Sequence, residues 1–369
     1  MKQHRLLKTI IGSSLAAVML ATAVGCGSRA TSSSASAANS AKTTGTANGS
    51  PASGSASTDT ITIAWYPNES ASDFAPARDE IAKYIKQATG KEVVNMTTTD
   101  YTIAIVAIAS GKAQLSYMGA QGYIQANKQN SAVLPLFTYS GPSGTLSDAL
   151  YYSRLCINSA DAGLYMANGS YSIRNIAGKR ISFVSQSSTS GWAIPTSGIV
   201  GVFKKDAKWG NLTVDDLAQG GSGKLFSTVL FGNSHQGSAV NLLTGKCDVA
   251  AFDDDDLTPY VQLDSGTANT PGAVYEVAKG ASAPFDTLVG KRFTVISAYQ
   301  VLNEPFVYNS QSLGSDDAQK ILTIMTSGQV ANDTLIFDPN GKGLLPKTKN
   351  EQFVKVTDDW YKPIRDLGL

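Results

Sequence analysis

Past residue 60 the chain alternates between two hydrophobic rhythms. The runs 60–66, 92–96, 114–118 and 133–139 are dense in β-branched, aromatic and other apolar residues, as buried strands are. Between them, residues 74–89 carry Ile81, Tyr84 and Ile85 on one helical face and stop at Gly90. Residues 101–110 predict a second helix that ends before Gly111, and the region around 123–128 a third. The alternation restarts after Tyr151, with strands over 152–157, 180–184, 227–231 and 247–252 and helices over 189–203 and 238–244. A polar, glycine-rich stretch at 267–290 precedes a strand at 292–297 and two last helices near 315–327 and 351–366. Strand-helix-strand order predicts an α/β protein with two parallel-rich sheets, each covered by helices, in two units of similar size. Ligands of such sheets sit at the carboxyl ends of strands, and a cleft between two lobes doubles the wall available to grip a small solute.

The first 59 residues read differently. Lys2, Arg5 and Lys8 lead into an apolar run that ends at Val24, the pattern of an export signal and not of a membrane span. Small residues before Cys26 resemble a bacterial lipobox, which makes 1–25 a lipoprotein signal peptide and Cys26 the lipidated residue. Each acyl CH₂ buried in a bilayer contributes about 0.8 kcal/mol, so two or three chains form a stable lipid anchor. Residues 26–59 are nearly all Ser, Ala, Thr and Gly, a flexible linker. The expected location is therefore outside the cell, anchored to the outer face of the bacterial membrane through Cys26, or periplasmic.

Thirty basic residues against 29 acidic ones leave a net charge of +1, which argues against a nucleic-acid partner. Cys156 and Cys247 each lie in a strand-like run, and either a disulfide between them or two buried thiols fits an exported chain. No CxxC or histidine-rich spacing points to a metal, and no phosphate-binding loop points to a cofactor.

One segment carries chemistry. Ser187, Ser188, Thr189, Ser190 and Gly191 stand where a strand turns into a helix. A helix N-terminus has unpaired N–H groups and about half a positive charge, so clustered hydroxyls there suit a phosphate-like anion, whereas an ordinary N-cap needs only one of them.

Several spaced motifs resemble the phosphonate-binding subunits of bacterial ABC transporters, a branch of the two-lobed type II periplasmic binding proteins. They are Trp65 to Ser70 after the first strand, Thr99-Asp100-Tyr101, Ala109 to Gln114, Ser188 to Gly191, Gly232 to His235, Gly245 to Ala250, Asn303 to Val307 and Asp358 to Tyr361. The resemblance implies two crossover strands, near 151–157 and 296–307, with residues 60–150 plus 300–369 forming lobe 1, residues 151–299 forming lobe 2, and the ligand in the interlobe cleft. It also implies that a membrane permease is the partner and that closure over the ligand signals transport.

By the same resemblance Ser188, Thr189 and Ser190 hold the phosphonate oxygens, with His235, Tyr101 and Tyr151 as further ligands. His235 acts either as a neutral N–H donor or as a cation. Asp255 and Glu304 match the carboxylates that hold the ammonium of aminophosphonates, which favours 2-aminoethylphosphonate; a solvated acidic loop is the other reading of 253–256. Phosphate, phosphite, an alkylphosphonate, or a sensing role fit the same serine cluster. A hydrolase fits poorly, because Gly232 to Gly237 is one residue too long for a Gly-x-Ser-x-Gly elbow, so no catalytic residue is expected.

Overall fold

The computed structural model describes residues 59–69 and 71–369. The expected signal peptide, Cys26 and all but the last residue of the linker lie outside the described residues.

Two mixed sheets organise the chain. The first contains β1 (Thr60–Trp65), β2 (Glu92–Thr97), β3 (Leu115–Tyr117) and β4 (Val133–Tyr139). The second contains β5 (Leu150–Asn158), β6 (Arg180–Phe183), β7 (Thr228–Phe231), β8 (Val249–Asp253), β9 (Val261–Ser265), β10 (Val274–Val277) and β11 (Arg292–Leu302). The chain then returns to the first sheet with β12 (Pro305–Asn309) and β13 (Phe353–Lys355). The strand orders are β13-β4-β12-β3-β1-β2 and β9-β10-β11-β5-β8-β6-β7.

Within these two sheets parallel pairing is confined to β2-β1-β3 and β7-β6-β8, and every other neighbour is antiparallel. The sheets are thus mixed instead of parallel-rich. The reason is the return of the chain: β5 and β11 run antiparallel along nine paired positions from Leu150↔Leu302 to Asn158↔Phe293, and β12 enters the first sheet against its direction. A local alternation of strands and helices cannot reveal that reversal.

Side-chain alternation along the strands builds a core on each face of each sheet. On β1, Ile61, Ile63 and Trp65 join a cluster with Phe137, Phe306 and Phe353, while Ala64, with Tyr66 beyond the strand, joins Tyr101, Ile105 and Tyr123 on the other face. On β5, Leu155 and Ile157 pack with Phe183 and Trp192, and Cys156 packs opposite with Phe252, Tyr260 and Cys247. Cys156 and Cys247 are both free thiols, and burial raises both pKa values, that of Cys247 to about 12, which keeps them protonated and unreactive.

Six longer helices cover the sheets: α1 (Ala75–Thr89), α2 (Tyr101–Ala109), α3 (Ala120–Gln129), α4 (Ile194–Phe203), α5 (His235–Leu243) and α6 (Ser315–Met325). Gly90 ends α1 in the left-handed region at φ 74°, where its N–H reaches the Lys86 carbonyl. The expected helix over 351–366 is replaced by β13, a 3₁₀ turn and the short helix Lys362–Arg365. Pairing of Phe353 opposite Tyr139 takes that segment into the sheet edge. Strands β9 and β10 were hidden by their polar neighbours, and β9 is exposed along most of its length.

Candidate functional site

The turn between β6 and α4 is where the two sheets meet. Ser188 is the cap: its Oγ accepts the Gly191 N–H at 2.9 Å and starts a π-type turn, Thr189–Ala193, that runs into α4. Gly191 is required by close approach, since a Cβ there would stand 2.3 Å from Val184 Cγ2. Capping by Ser188 leaves the next two hydroxyls for other work.

Thr189 Oγ1 accepts the backbone N–H of Gln121, in the first turn of α3 on the other sheet, at 2.9 Å. That approach depends on Gly119, where a Cβ would lie 2.7 Å from Thr189 Oγ1 and 3.4 Å from Glu304 Oε1. Ser190 Oγ receives the Tyr151 hydroxyl at 3.2 Å and donates to Asp253 Oδ2 at 3.3 Å.

His235 is the first residue of α5, positioned by Ser234, whose side chain caps that helix. Its Nδ1 accepts the Asp253 N–H at 2.9 Å, which puts the ring proton on Nε2. Nε2 lies 3.2 Å from Asp253 Oδ2 and 3.4 Å from both Ser188 Oγ and Ser190 Oγ. Burial lowers its pKa to about 3, so of the two roles open to it, the neutral donor is the one this environment supports. The backbone N–H of His235 donates to Asn68 Oδ1 at 3.2 Å, and the Tyr101 hydroxyl donates to the same oxygen at 3.0 Å while its ring packs 4.1 Å from that of Tyr66.

Tyr151, Ser188, Thr189, Ser190 and His235 therefore form one contiguous buried network, with Tyr101 one residue away through Asn68. Three helix N-termini, those of α3, α4 with its leading turn, and α5, converge on it. Each supplies roughly half a positive charge, so the site favours an anion without a Lys or Arg.

Beyond Ser190 the character reverses. A cavity of about 10 Å³, room for roughly one water, is walled by Glu69, Asp253, Asp255, Asp256 and Glu304 with Tyr117, Tyr139 and Tyr151. Asp255 takes the Tyr139 hydroxyl at 2.6 Å. Burial, with Asp254 adding repulsion, raises the Asp255 pKa to about 8, and burial raises Glu304 to about 7 against a hydrogen bond from Tyr117. Burial and neighbouring carboxylates likewise push Glu69, Asp253 and Asp256 well above the usual range.

The run 253–256 is thus not a solvated loop. Only Asp254 turns from the cavity, taking the Tyr152 N–H at 2.7 Å and the Asn269 amide at 2.8 Å. His235, Asp253 and Asp256 bring one ligand atom each within 4.8 Å, yet the imidazole is a poor metal ligand here because Nδ1 is occupied and Nε2 carries the proton.

Asn68, Gln121, Glu69, Asp253 and Asp256 were not singled out as site residues from sequence. The only available signal was their place just after strands or at a helix start. Tyr123 lies apart, its hydroxyl donating to Asp358 at 2.6 Å.

Residues 63–361 match the family described as ABC transporter, phosphonate, periplasmic substrate-binding protein. The Phosphate-import protein PhnD of Mycolicibacterium smegmatis is 26% identical over 293 residues, covering 79% of this chain and 82% of that protein. Among solved structures, a binding protein component of an ABC phosphonate transporter from Pseudomonas aeruginosa superposes with a TM-score of 0.58 at 18% identity, covering 84% of this chain and 85% of that one. PhnD1 from Prochlorococcus marinus, in complex with methylphosphonate, gives 0.57 at 14% identity, covering 84% and 97%. The fold is that of the two-lobed type II periplasmic binding proteins. With the match extending over most of its length, the chain belongs to the family of periplasmic substrate-binding proteins of ABC phosphonate transporters, which act outside the cytoplasm.

Proposed function

We propose that the cleft captures a small zwitterionic phosphonate, 2-aminoethylphosphonate being the best fit, and hands it to a membrane permease when the lobes close. The observation that carries this reading is the meeting, at Ser190 and Asp253, of a hydroxyl-rich set of helix N-termini with a cavity walled by five carboxylates. One half suits a phosphonate and the other an ammonium. Ser188, Thr189, Ser190, Tyr151 and His235 take the phosphonate oxygens, with Tyr101 bracing Asn68 and offering its phenol as the lobes open. Asp255 and Glu304 accept the ammonium N–H groups. Residues 60–150 with 300–369 form one lobe and 151–299 the other, and Cys26 carries the lipid that tethers both near the permease.

Charge-assisted hydrogen bonds contribute about 1.5–3 kcal/mol each, so four or five of them offset the cost of association and leave micromolar affinity. A hydrolytic role gains no support, because the unprotonated nitrogen of His235 is already occupied by the Asp253 N–H. Phosphate or an alkylphosphonate is the second reading, favoured by the likeness to the Mycolicibacterium phosphate-import protein and to the Prochlorococcus protein in complex with methylphosphonate. In that reading the cavity carboxyls stay protonated beside the anion, with no cationic group to engage them.

Asp255→Asn and Glu304→Gln separate the two readings. Each is expected to weaken 2-aminoethylphosphonate by about tenfold or more while changing methylphosphonate little, measured by calorimetry. Equal losses for both ligands would overturn the ammonium role.

A further inference from the structure

Three of the five cavity carboxylates have their oxygens engaged. Asp255 holds Tyr139, Glu304 is hydrogen-bonded by Tyr117, and Asp253 holds Ser190, His235 and the Asp256 N–H at 3.2 Å. Glu69, whose carboxylate is also hydrogen-bonded by Asn68 and the backbone, and Asp256 each keep one buried oxygen unpartnered. Glu69 is 2% exposed and its Oε2 has no hydrogen-bond partner, and Asp256 Oδ2 is also buried without one. The nearby Arg78 directs Nη1 at the backbone carbonyls of Glu69 and Ala71, the second at 2.9 Å, and not at the Glu69 carboxylate. Among the described residues, no Lys or Arg lines the cavity. A buried acceptor left unpaired is expensive, and two of them sharing one cavity point to a missing cation.

The two come from opposite walls. Glu69 sits in the loop after β1 of the first sheet, and Asp256 three residues beyond β8 of the second. We propose that Glu69 and Asp256 are the jaws of a cation site that spans the cleft and latches it shut over a compact cation, the ammonium of the ligand itself. This rests on the zwitterionic reading above and adds to Asp255 and Glu304 the two residues that couple cation capture to closure. Burial and their neighbours keep both carboxyls protonated, and a cation between them draws both into the ionised state and attracts the two walls across the gap. A primary ammonium has three N–H donors, so it can satisfy Glu69, Asp256 and Glu304 at once.

The test is calorimetry on the purified protein and on Glu69→Gln and Asp256→Asn, with 2-aminoethylphosphonate and its uncharged-tail analogue ethylphosphonate, each with and without MgCl₂. Thermal melts of both variants establish that they fold. Loss of on the order of tenfold for 2-aminoethylphosphonate in either variant, with ethylphosphonate within about twofold, supports the ligand ammonium as the cation. If the wild-type protein prefers ethylphosphonate, the zwitterionic reading fails by itself. The cation site then stands only if Mg²⁺ tightens ethylphosphonate in the wild type and no longer does so in Glu69→Gln. Equal effects of the variants on both ligands, or none on either, with no Mg²⁺ dependence, would overturn the proposal.

Discussion

His235→Ala is expected to lower phosphonate affinity by about a hundredfold or more, the largest effect of any single substitution in the cleft. His235 is 1% exposed and joined to three elements, through Asp253 on β8, the hydroxyls before α4, and Asn68 after β1. Its contribution is a directed N–H and not a charge, since burial holds the ring neutral down to about pH 3. Truncation removes that donor from the proposed anion site and leaves the buried Asp253 N–H without its acceptor, at about 1–3 kcal/mol, while the Asp253 carboxyl keeps Ser190 and the Asp256 N–H. The melting temperature should therefore fall as well. His235→Gln, which keeps a donor of similar reach, should recover part of the affinity. Calorimetry checks both, and binding by His235→Ala within about threefold of wild type would remove His235 from the site.

The second large effect is on stability against pH. Glu304 and Asp255 have pKa values raised to about 7 and about 8, so between about pH 4.5 and 8 the folded protein holds protons that the unfolded chain has released. Stability is present below that window and declines as pH rises through it. His235 acts in the opposite sense, because its folded pKa is depressed and the unfolded chain binds the proton below about pH 6.5. Glu304 and Asp255 against one imidazole leave a net decline on the order of 1–2 kcal/mol per pH unit between about pH 5 and 7 that fades as pH passes about 8, and the raised Glu69, Asp253 and Asp256 add to the decline in the same sense. Depressed carboxylates such as Asp248 and Asp358 matter only below about pH 4. Melting temperature should drop by roughly 5–10 °C between pH 5.5 and 8 for the ligand-free protein, measured calorimetrically. A saturating cationic ligand should flatten the profile, and a melting temperature that rises with pH over this range would show that the cluster is ionised and compensated.

Legibility of the fold tracked local pattern. β4 was readable to the residue because Val133 to Tyr139 is apolar and aromatic but for Thr138. β10 was missed because Val274 to Val277 sits in a glycine-rich polar stretch and is made a strand only by pairing with β11. α5 was placed three residues late, since its start is decided by the Ser234 cap and not by hydrophobic spacing. The strand β13 within the expected last helix shows the same tertiary control, exerted by β4.

The site divided along similar lines. The proposed anion half was legible because hydroxyls crowded at a strand-to-helix turn have few other uses, and one histidine stood at the next turn. The carboxylate half was legible only in part. Asp255 and Glu304 entered through resemblance, whereas Glu69 is a single acid in a loop whose meaning depends on Asp256 arriving from the other sheet. The neutral state of His235 was likewise unreadable, because it follows from the Asp253 N–H reaching Nδ1.

The most direct measurement is a calorimetric titration of the purified protein with 2-aminoethylphosphonate, methylphosphonate and inorganic phosphate, in a phosphate-free buffer near neutral pH. A cleft with both an anion end and a carboxylate end predicts that 2-aminoethylphosphonate binds at micromolar affinity or better and at least about tenfold more tightly than the other two. Tighter binding of phosphate or methylphosphonate would contradict it.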